Sequence, residues 1–375
     1  MFSTPRFEYS KKILSDKISE VTSLKAPYGY TPRYAVKANT HPSIITIIDE
    51  GGIHFDASSS YEAMLLLSLG VSGEKIALSS QQSAHNLDEL LEAGVRVAAT
   101  SFKQLEMLLA APHCPEKITV RINPDYGSGH NNRTSTGGTN ASFGIWHEYI
   151  PEIVRLCATA GVKIDCVHIH VGSGAKPEIW AEVMDRCLKV LEAFPTATIL
   201  NVGGGFKVHR FNTEEETDLA TIFEIFTQKL TAFKTETNRS IHLEIEPGTY
   251  LVAHAGTLVA TIDDIVDTGE NGHTFIKLDT GMNDFLRTTM YGSQHKIEVM
   301  TDNTNEKPYV VVGHNCESGD IFTTVQYDQE TIKPRLLKEA KIGDEVRIYD
   351  TGAYCASMRA KGYNAFPDAI EIMVA

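Results

Sequence analysis

Lys37 is the residue whose surroundings in the sequence most clearly suggest covalent chemistry. It lies in the segment YAVKAN, at the end of an apolar run that is expected to form a strand buried on both faces. A lysine in such a place is unfavourable unless its amine is paired or covalently occupied. Two interpretations remain open: a side chain that extends to solvent at the strand end, or an amine poised for Schiff-base formation with a carbonyl compound.

A run of three glycines suggests a binding loop for a phosphate group. The segment Asn201–Phe206 (NVGGGF) follows an apolar run, and glycines allow several backbone N–H groups to approach an anion closely. A flexible turn is the alternative. The chain has neither the GxGxxG spacing of a dinucleotide site nor the GxxxxGK(S/T) loop of nucleoside triphosphatases, so both of those functions are disfavoured.

Four further side chains are candidates for acid–base work or binding. His168 and His170 alternate along one predicted strand and therefore face opposite sides of it, so only one of them is expected to point into a barrel. A zinc site is a weaker alternative, because no third ligand stands at a suitable spacing. Glu246 in EIEPG ends another strand, where its carboxylate suits either a protonated pyridine nitrogen or an ion pair. Cys316 in HNCESGDIF is flanked by polar residues, which favours a proton donor or nucleophile over a packed core thiol.

Eight short β-branched runs provide the frame that must position these residues. Amphipathic helical patterns separate the runs, for example Ser59–Leu69 and Leu87–Ala93. The candidate residues fall at the carboxyl ends of the runs, where TIM barrels place their sites. We therefore predict a (β/α)8 TIM barrel, with an open doubly wound sheet as the alternative. The predicted strands are Arg33–Lys37, Ile53–Asp56, Lys75–Ser79, Val95–Thr100, Ile118–Asn123, Asp165–Val171, Thr198–Gly203 and Ile241–Glu246.

The character of the sequence changes after about residue 255. Alternating runs such as Leu258–Ile265, Phe275–Leu278, Tyr309–Val312 and Glu345–Tyr349 replace the helical patterns. They predict a mainly antiparallel β domain over residues 256–375, joined by an N-terminal strand from residues 1–9, beside a barrel over residues 10–255. The polar, glycine-rich stretch Gly127–Ala141 is interpreted as a loop over the barrel mouth.

The composition of the chain indicates which kinds of binding partner are expected. With 34 basic and 48 acidic side chains the net charge is −14, which disfavours nucleic acid and anionic membrane surfaces. The sequence has no apolar stretch near the roughly 20 residues of a membrane helix, and its first residues do not resemble a secretory signal, so the cytoplasm is the expected location. The six cysteines show no CxxC pair, and neither a disulfide framework nor a metal site is expected. A small-molecule partner is favoured.

Seven segments together carry a resemblance that none of them carries alone. In chain order they are YAVKAN, FDASSSYE, HIHVGSG, NVGGGF, EIEPG, CESGDIF and DTGAYCASM. Over nearly the whole chain they resemble the fold-type III decarboxylases that use pyridoxal 5'-phosphate (PLP), and above all the diaminopimelate decarboxylase family. The resemblance implies an alanine racemase-like fold, with a TIM barrel and a C-terminal antiparallel β domain, in a homodimer with shared active sites. It also implies the reaction of lysine biosynthesis in which meso-diaminopimelate yields L-lysine and carbon dioxide.

The resemblance implies a role for each candidate residue. Lys37 would form the Schiff base with PLP, His170 would stack on the pyridine ring, and Glu246 would pair with the ring nitrogen. Cys316 would be the proton donor. The remaining cofactor contacts would be Asp56, Ser173, Gly204, Gly205, Gly248 and, from the second chain, Tyr354. The substrate contacts would be Arg287, Tyr291, Glu317 and Tyr354.

Two departures from the family pattern bear on the substrate. After EPG this chain has Thr249, where the family usually has an arginine that contacts substrate carboxylate or cofactor phosphate. The tail reads RAKGYNAFP instead of the family's usual sequence, although Tyr363 and Asn364 remain. Three other cations are suggested as replacements: Arg335, Arg359 and Lys361.

These departures keep other functions under consideration. A decarboxylase of another diamino acid or of a carboxylated polyamine precursor is the main alternative. An alanine racemase-like isomerase shares barrel and cofactor, but Cys316 and Arg287 argue against it. A non-catalytic PLP-binding protein is disfavoured by the complete β domain.

Overall fold

The computed structural model describes residues 3–127, 137–211 and 214–375, which fall into two compact units. One unit comprises Ser15–Lys207 and Glu215–Leu251. The other contains Val252–Ala375, the N-terminal residues up to Leu14 and the short segment that begins at Val208. The domain limits 10–255 and 256–375 remain a prediction.

Eight parallel strands form a closed barrel in the first unit. Each strand pairs with its neighbour in parallel register, and the last strand pairs with the first through Leu243 opposite Tyr30, which excludes an open sheet. Such strands are covered on both faces, so they read as short apolar runs. The predicted TIM barrel is confirmed. After β1 (Arg6–Ser10), which belongs to the other unit, the strands are β2 (Tyr30–Ala35), β3 (His54–Ala57), β4 (Ile76–Leu78), β5 (Arg96–Ala99), β6 (Lys117–Asn123) with its short partner β7 (Ile145–Trp146), β8 (Lys163–His168), β9 (Ile199–Asn201) and β10 (His242–Ile245).

Helices alternate with the barrel strands, and their starts are encoded locally. Ser59 accepts a hydrogen bond from the Glu62 N–H at 3.1 Å, and the Glu62 carboxylate accepts from the Ser58 N–H at 2.7 Å, which forms a reciprocal N-terminal cap. Within the described residues, the helices lack the combination of length and apolar character needed to cross a membrane. The helices are α1 (Lys11–Ser23), α2 (Pro42–Glu50), α3 (Ser60–Ser68), α4 (Leu87–Glu92), α5 (Phe102–Leu109), α6 (Ile150–Thr159), α7 (Pro177–Glu192), α8 (Leu219–Thr237), α9 (Thr249–Val252) and α10 (Arg287–Tyr291).

The second unit is built on a mostly antiparallel sheet of eight strands. Its path runs β13-β18-β11-β12-β14-β17, and β1 pairs with both β11 and β19, as expected for an N-terminal strand that joins this domain. The β12–β14 and β1–β19 pairs are parallel. The strands are β11 (Gly256–Asp267), β12 (Thr274–Leu278), β13 (Ile297–Met300), β14 (Glu306–Val312), β15 (Thr324–Val325), β16 (Asp328–Ile332), β17 (Arg335–Lys338), β18 (Glu345–Tyr349) and β19 (Ile370–Val374), of which β15 and β16 form a separate hairpin.

Candidate active site

Lys37 lies just beyond β2, in a single 3-10 turn over Val36–Ala38, and its side chain is exposed. The predicted strand to Lys37 is two residues too long, since β2 ends at Ala35, and its second half is buried as predicted. The turn forms because the buried Tyr34 hydroxyl donates to the Asn39 carbonyl at 2.9 Å. The Ala35 N–H donates to the Pro247 carbonyl at 3.3 Å, which ties the end of β2 to the segment after β10.

Two buried carboxyl groups lie near the charge of Lys37. Burial raises the pKa of Asp56 well above its ordinary value, and the charge of Glu246 raises it further, while Lys37 and Arg121 act in the opposite direction. Within the described part of the chain, Asp56 Oδ1 is buried without a hydrogen-bond partner. The end of the barrel therefore holds a carboxyl group that favours its protonated form.

Glu246, in contrast, is held as a carboxylate. Asn201 Nδ2 donates to Oε1 at 2.7 Å, and His168 Nε2 lies 3.3 Å from the same oxygen. Burial alone would raise the pKa of Glu246, but the interactions with His168 and Lys37 outweigh it and hold the pKa well below its usual range. Since burial lowers the pKa of His168, Asn201 is the partner whose donation does not depend on protonation.

His170 lies beyond the end of β8 and packs against Gly203. A Cβ atom on Gly203 would lie 2.5 Å from His170 Nδ1, so only glycine fits beside this ring. Burial lowers the pKa of His170 to about 3, which leaves the ring neutral near pH 7. Because β8 ends at His168, the prediction that both histidines alternate on one strand is wrong, and the loop, not the strand, orients His170.

In the glycine loop, Gly203–Gly205, the backbone packs closely against the backbone of neighbouring segments. A Cβ atom on Gly204 would lie 2.1 Å from the Glu246 carbonyl oxygen, and one on Gly205 would lie 1.9 Å from the Gly172 carbonyl oxygen. Gly205 also has a φ of 106°, and its carbonyl accepts from the Gly174 N–H at 3.1 Å. These positions exclude side chains, as a cradle for a phosphate group requires.

A buried ion cluster in the barrel was not foreseen in the sequence analysis. Glu244 Oε1 accepts from Arg33 Nη2 at 2.9 Å, and Arg96 bonds to both Glu244 oxygens. Burial would raise the pKa of Glu244, but Arg96 and Arg33 lower it to about 2. The available signal was the occurrence of charged residues inside otherwise apolar strands, as in RYAVK and HLEIE. Asn201, also missed, lies within 3.4 Å of Glu244 Oε2 and so joins the cluster to Glu246.

In the other unit, the loop that carries Cys316 and Glu317 is held by the retained residues of the tail. Asn364 Oδ1 accepts from the Cys316 N–H at 2.7 Å, and the Tyr363 hydroxyl donates to Glu317 Oε2 at 3.2 Å. Hydrogen bonds from the Gly319 N–H and from Tyr363 lower the pKa of Glu317. Cys316 is exposed, as its polar neighbours in the sequence suggested.

Arg287, Tyr291 and Tyr354 come together around α10. The Arg287 guanidinium lies 5.8 Å from the centre of the Tyr291 ring and 5.9 Å from that of Tyr354. Tyr354 has a left-handed backbone with a φ of 56°, a conformation that bulky residues adopt only when the surrounding structure imposes it. The sequence pattern RTTMY correctly placed the arginine and Tyr291 one helical turn apart.

The three suggested replacement cations have partners of their own. Arg359 pairs with Asp368 at 3.4 Å and Glu371 at 3.1 Å, and Lys361 pairs with Asp368 at 3.2 Å. Arg335 donates to the carbonyl of His295 and to the side chain of Gln294. These interactions do not support any of the three as the missing cation.

The predicted loop over the barrel mouth is described only in part. Residues 128–136 lie outside the described residues. The end of the stretch is anchored by Asn123 Nδ2, which donates to the carbonyls of Gly138 at 3.1 Å and Ala141 at 3.2 Å. Its position as a cover remains a prediction.

Known proteins resemble this chain in both sequence and fold. The family model described as "Pyridoxal-dependent decarboxylase, pyridoxal binding domain" matches residues 14–253. Diaminopimelate decarboxylase of Streptomyces coelicolor is 34% identical over 354 residues, which cover 91% of this chain and 79% of that protein. Diaminopimelate decarboxylase of Escherichia coli is 28% identical over 386 residues, which cover 99% of this chain and 89% of that protein.

Solved structures of similar proteins have the same fold. A crystal structure of a diaminopimelate decarboxylase superposes with a TM-score of 0.91 at 28% identity, and covers 100% of this chain and 89% of its own. The Helicobacter pylori diaminopimelate decarboxylase complexed with L-lysine gives 0.88 at 25% identity, with 100% and 92% covered. The Vibrio vulnificus lysine/ornithine decarboxylase complexed with putrescine gives 0.82 at 21% identity, with 100% and 95% covered, which shows a shared fold alone.

Proposed function

The chain belongs to the family of pyridoxal-dependent decarboxylases, and on that premise we propose that it converts meso-diaminopimelate to L-lysine and carbon dioxide. The observation that carries the proposal is that Lys37 and Glu246 lie just beyond the ends of β2 and β10, two barrel strands that pair with each other and are tied by the Ala35–Pro247 hydrogen bond. An amine whose charge acts on a carboxylate with a lowered pKa is what a PLP decarboxylase needs from its barrel. The names of the similar proteins support the choice of substrate.

The residues at the barrel end fit PLP, the cofactor of the family. When bound, PLP withdraws electrons from the α-carbon of an amino acid, which allows the carboxylate to leave as carbon dioxide. We assign the covalent attachment to Lys37, whose exposed amine follows β2 directly. The backbone around Gly204, Gly205 and Gly248, with Ser173, is assigned to the phosphate group.

Three side chains are proposed to act on the ring when PLP is bound. Glu246, whose negative charge Asn201 and His168 stabilise, would pair with the ring nitrogen and favour its protonated form. His170, whose pKa burial lowers to about 3, would stack on the pyridine ring without adding charge. Asp56, whose pKa is raised by burial and by Glu246, would be a further contact of the cofactor.

The substrate contacts are assigned to the other unit. Arg287 and Tyr291 bind a carboxylate, Glu317 binds the distal ammonium as an ionised group, and the exposed Cys316 returns a proton to the α-carbon. Tyr354 serves both cofactor and substrate. We propose that these groups act in a homodimer, where each chain completes the barrel site of the other.

A cytoplasmic location is part of the same proposal. All six cysteines are free, as is usual for proteins of a reducing compartment.

A substrate panel tests the function. The purified protein with added PLP is given meso-diaminopimelate, L-lysine, L-ornithine or carboxynorspermidine, and released carbon dioxide is measured. We expect release from meso-diaminopimelate at the highest kcat/KM, with L-lysine as the product. Release only from one of the other compounds would establish the alternative decarboxylase, and a change of chirality without carbon dioxide would indicate an isomerase.

A further inference from the structure

Arg210 lies close to Arg287 and has an unusual set of interactions. Its Nε and Nη2 atoms, and Nε of Arg287, are buried without hydrogen-bond partners among the described residues. A buried guanidinium normally donates to carboxylates or carbonyls, because unpaired N–H groups are costly. Two neighbouring guanidinium groups with unused donors therefore need a common explanation.

The positive charges of Arg210 and Arg287 repel each other, and a bound anion would relieve this repulsion. Burial and the positive charge of Arg287 together lower the pKa of Arg210 to about 10, although Cys355, Glu214 and Asp350 act in the opposite direction. Those two carboxylates have other partners: Glu214 accepts from the Arg210 backbone N–H at 2.8 Å and from Gln326 at 2.7 Å, and Asp350 pairs with His254. Among the described residues, neither carboxylate accepts a hydrogen bond from the side chain of Arg210.

Two aromatic rings lie beside Arg287, and a third belongs to the residue that follows Arg210 in the chain. Tyr291 and Tyr354 flank Arg287, and Phe211, next to Arg210 in the chain, lies 4.9 Å from the Arg335 guanidinium. Arg335 in turn is fixed by His295 and Gln294, so it braces Phe211 and does not compete for an anion. Aromatic walls exclude water, which strengthens a charge-assisted hydrogen bond to a carboxylate.

We propose that Arg210 is a specificity-determining residue that, together with Arg287, binds the substrate carboxylate that is not lost in the reaction. The inference rests on the proposed function. It assigns to Arg210 the positive charge that the family's arginine provides at the position of Thr249. Two guanidinium groups bind a carboxylate better than one, since each offers paired N–H donors in a fixed plane. A diamino acid with a single carboxylate would not gain from this pair, so Arg210 selects dicarboxylic substrates.

Kinetics of Arg210→Gln test the proposal. We expect KM for meso-diaminopimelate to rise roughly 10- to 100-fold, as for the loss of a charged hydrogen bond, with a much smaller change in kcat. Competitive inhibition by pimelate, which has two carboxylates, should weaken by a similar factor, while inhibition by 6-aminohexanoate should not change. The matched control is Arg155→Gln, which removes an exposed arginine paired with Glu152 on α6 and should keep the parental KM.

Thermal melting separates binding from a structural role. Arg210→Gln removes the repulsion between Arg210 and Arg287. It breaks no side-chain hydrogen bond among the described residues, so the melting temperature of the variant should equal or exceed that of the parent. Pimelate should raise the melting temperature of the parent but not that of the variant. Arg210→Lys, which retains the charge but loses the planar pair of donors, should show an intermediate KM.

Several outcomes would overturn the inference. An unchanged KM and an unchanged pimelate effect in folded Arg210→Gln would do so, and so would a variant that fails to fold. If the parent releases no carbon dioxide from meso-diaminopimelate, the proposed function fails, and the pimelate melting comparison still decides whether Arg210 binds a carboxylate.

Discussion

The Asn201 side-chain amide donates to Glu246 Oε1 over 2.7 Å, and both residues are buried on neighbouring barrel strands. The Asn201 side-chain oxygen Oδ1 accepts from the Gly203 N–H at 2.8 Å, so one side chain fixes both the carboxylate and the start of the glycine loop. A substitution of Glu246 therefore tests the role of its charge only if the hydrogen bond from Asn201 is retained.

Glu246→Gln keeps the shape of the side chain and removes its charge. Because a neutral amide does not hold a proton on the ring nitrogen, we expect kcat for carbon dioxide release to fall roughly 100-fold or more. Glu224→Gln, at an exposed position on α8, is the matched control and should keep the parental kcat. A Glu246→Gln variant with PLP bound and normal turnover would refute the assigned role.

Lys37→Ala tests the covalent attachment. Without the amine we expect the purified, PLP-supplemented protein to lose the visible absorbance of the imine and its decarboxylase activity. Lys189→Ala on α7, where the lysine is also exposed, should leave both unchanged. Imine absorbance that persists in Lys37→Ala and is lost on borohydride reduction, with the cofactor left attached to another lysine, would contradict the assignment.

Cys316→Ala tests the proton donor. The absorbance of bound PLP should be retained, whereas kcat should fall by roughly 100-fold or more, as for removal of a general acid. Cys114, which is only partly buried, provides the control Cys114→Ala with unchanged kcat. Turnover that equals the parent's in Cys316→Ala would assign proton return to another group.

The Arg33–Glu244–Arg96 cluster predicts a pH-dependent contribution to stability. The pKa of Glu244 is depressed from 4.5 to about 2 in the folded protein, so its stabilising effect is complete above pH 4.5 and is lost as the pH falls through about 2. Glu244→Gln leaves two buried arginines without their carboxylate, and we expect it to destabilise the barrel by about 3–5 kcal/mol at pH 7.

Chemical denaturation at several pH values measures this contribution. The difference between parent and Glu244→Gln should be constant from pH 7 to 5 and should shrink between pH 4.5 and the lowest pH at which both remain folded. Glu224→Gln again serves as the control, with no difference from the parent. A constant difference down to pH 3 would show that Glu244 does not titrate with the expected sign.

The barrel was predictable because its strands carry a simple signal. A parallel strand covered on both faces must be apolar almost throughout, and the eight runs with their helical spacers satisfy that requirement. Glycines such as Gly205 were also recognisable, since their positions allow no side chain.

Other features depend on contacts that sequence patterns do not contain. Arg33 and Glu244 are 211 positions apart, and their pairing follows only from closure of the barrel. The exposure of Lys37 depends on where β2 ends, which the Tyr34–Asn39 hydrogen bond decides. Arg210 lies outside the named helices and strands, so neither period nor motif marked it.

The pairing of β1 with β19 has a consequence for biosynthesis. The Tyr9 hydroxyl donates to Glu371 Oε2 at 2.6 Å although the two residues are 362 positions apart. Because β19 follows every barrel strand in the chain, this part of the sheet can form only after the whole barrel sequence has left the ribosome. A chain that lacks β19 would leave β1 with an open edge, which favours aggregation.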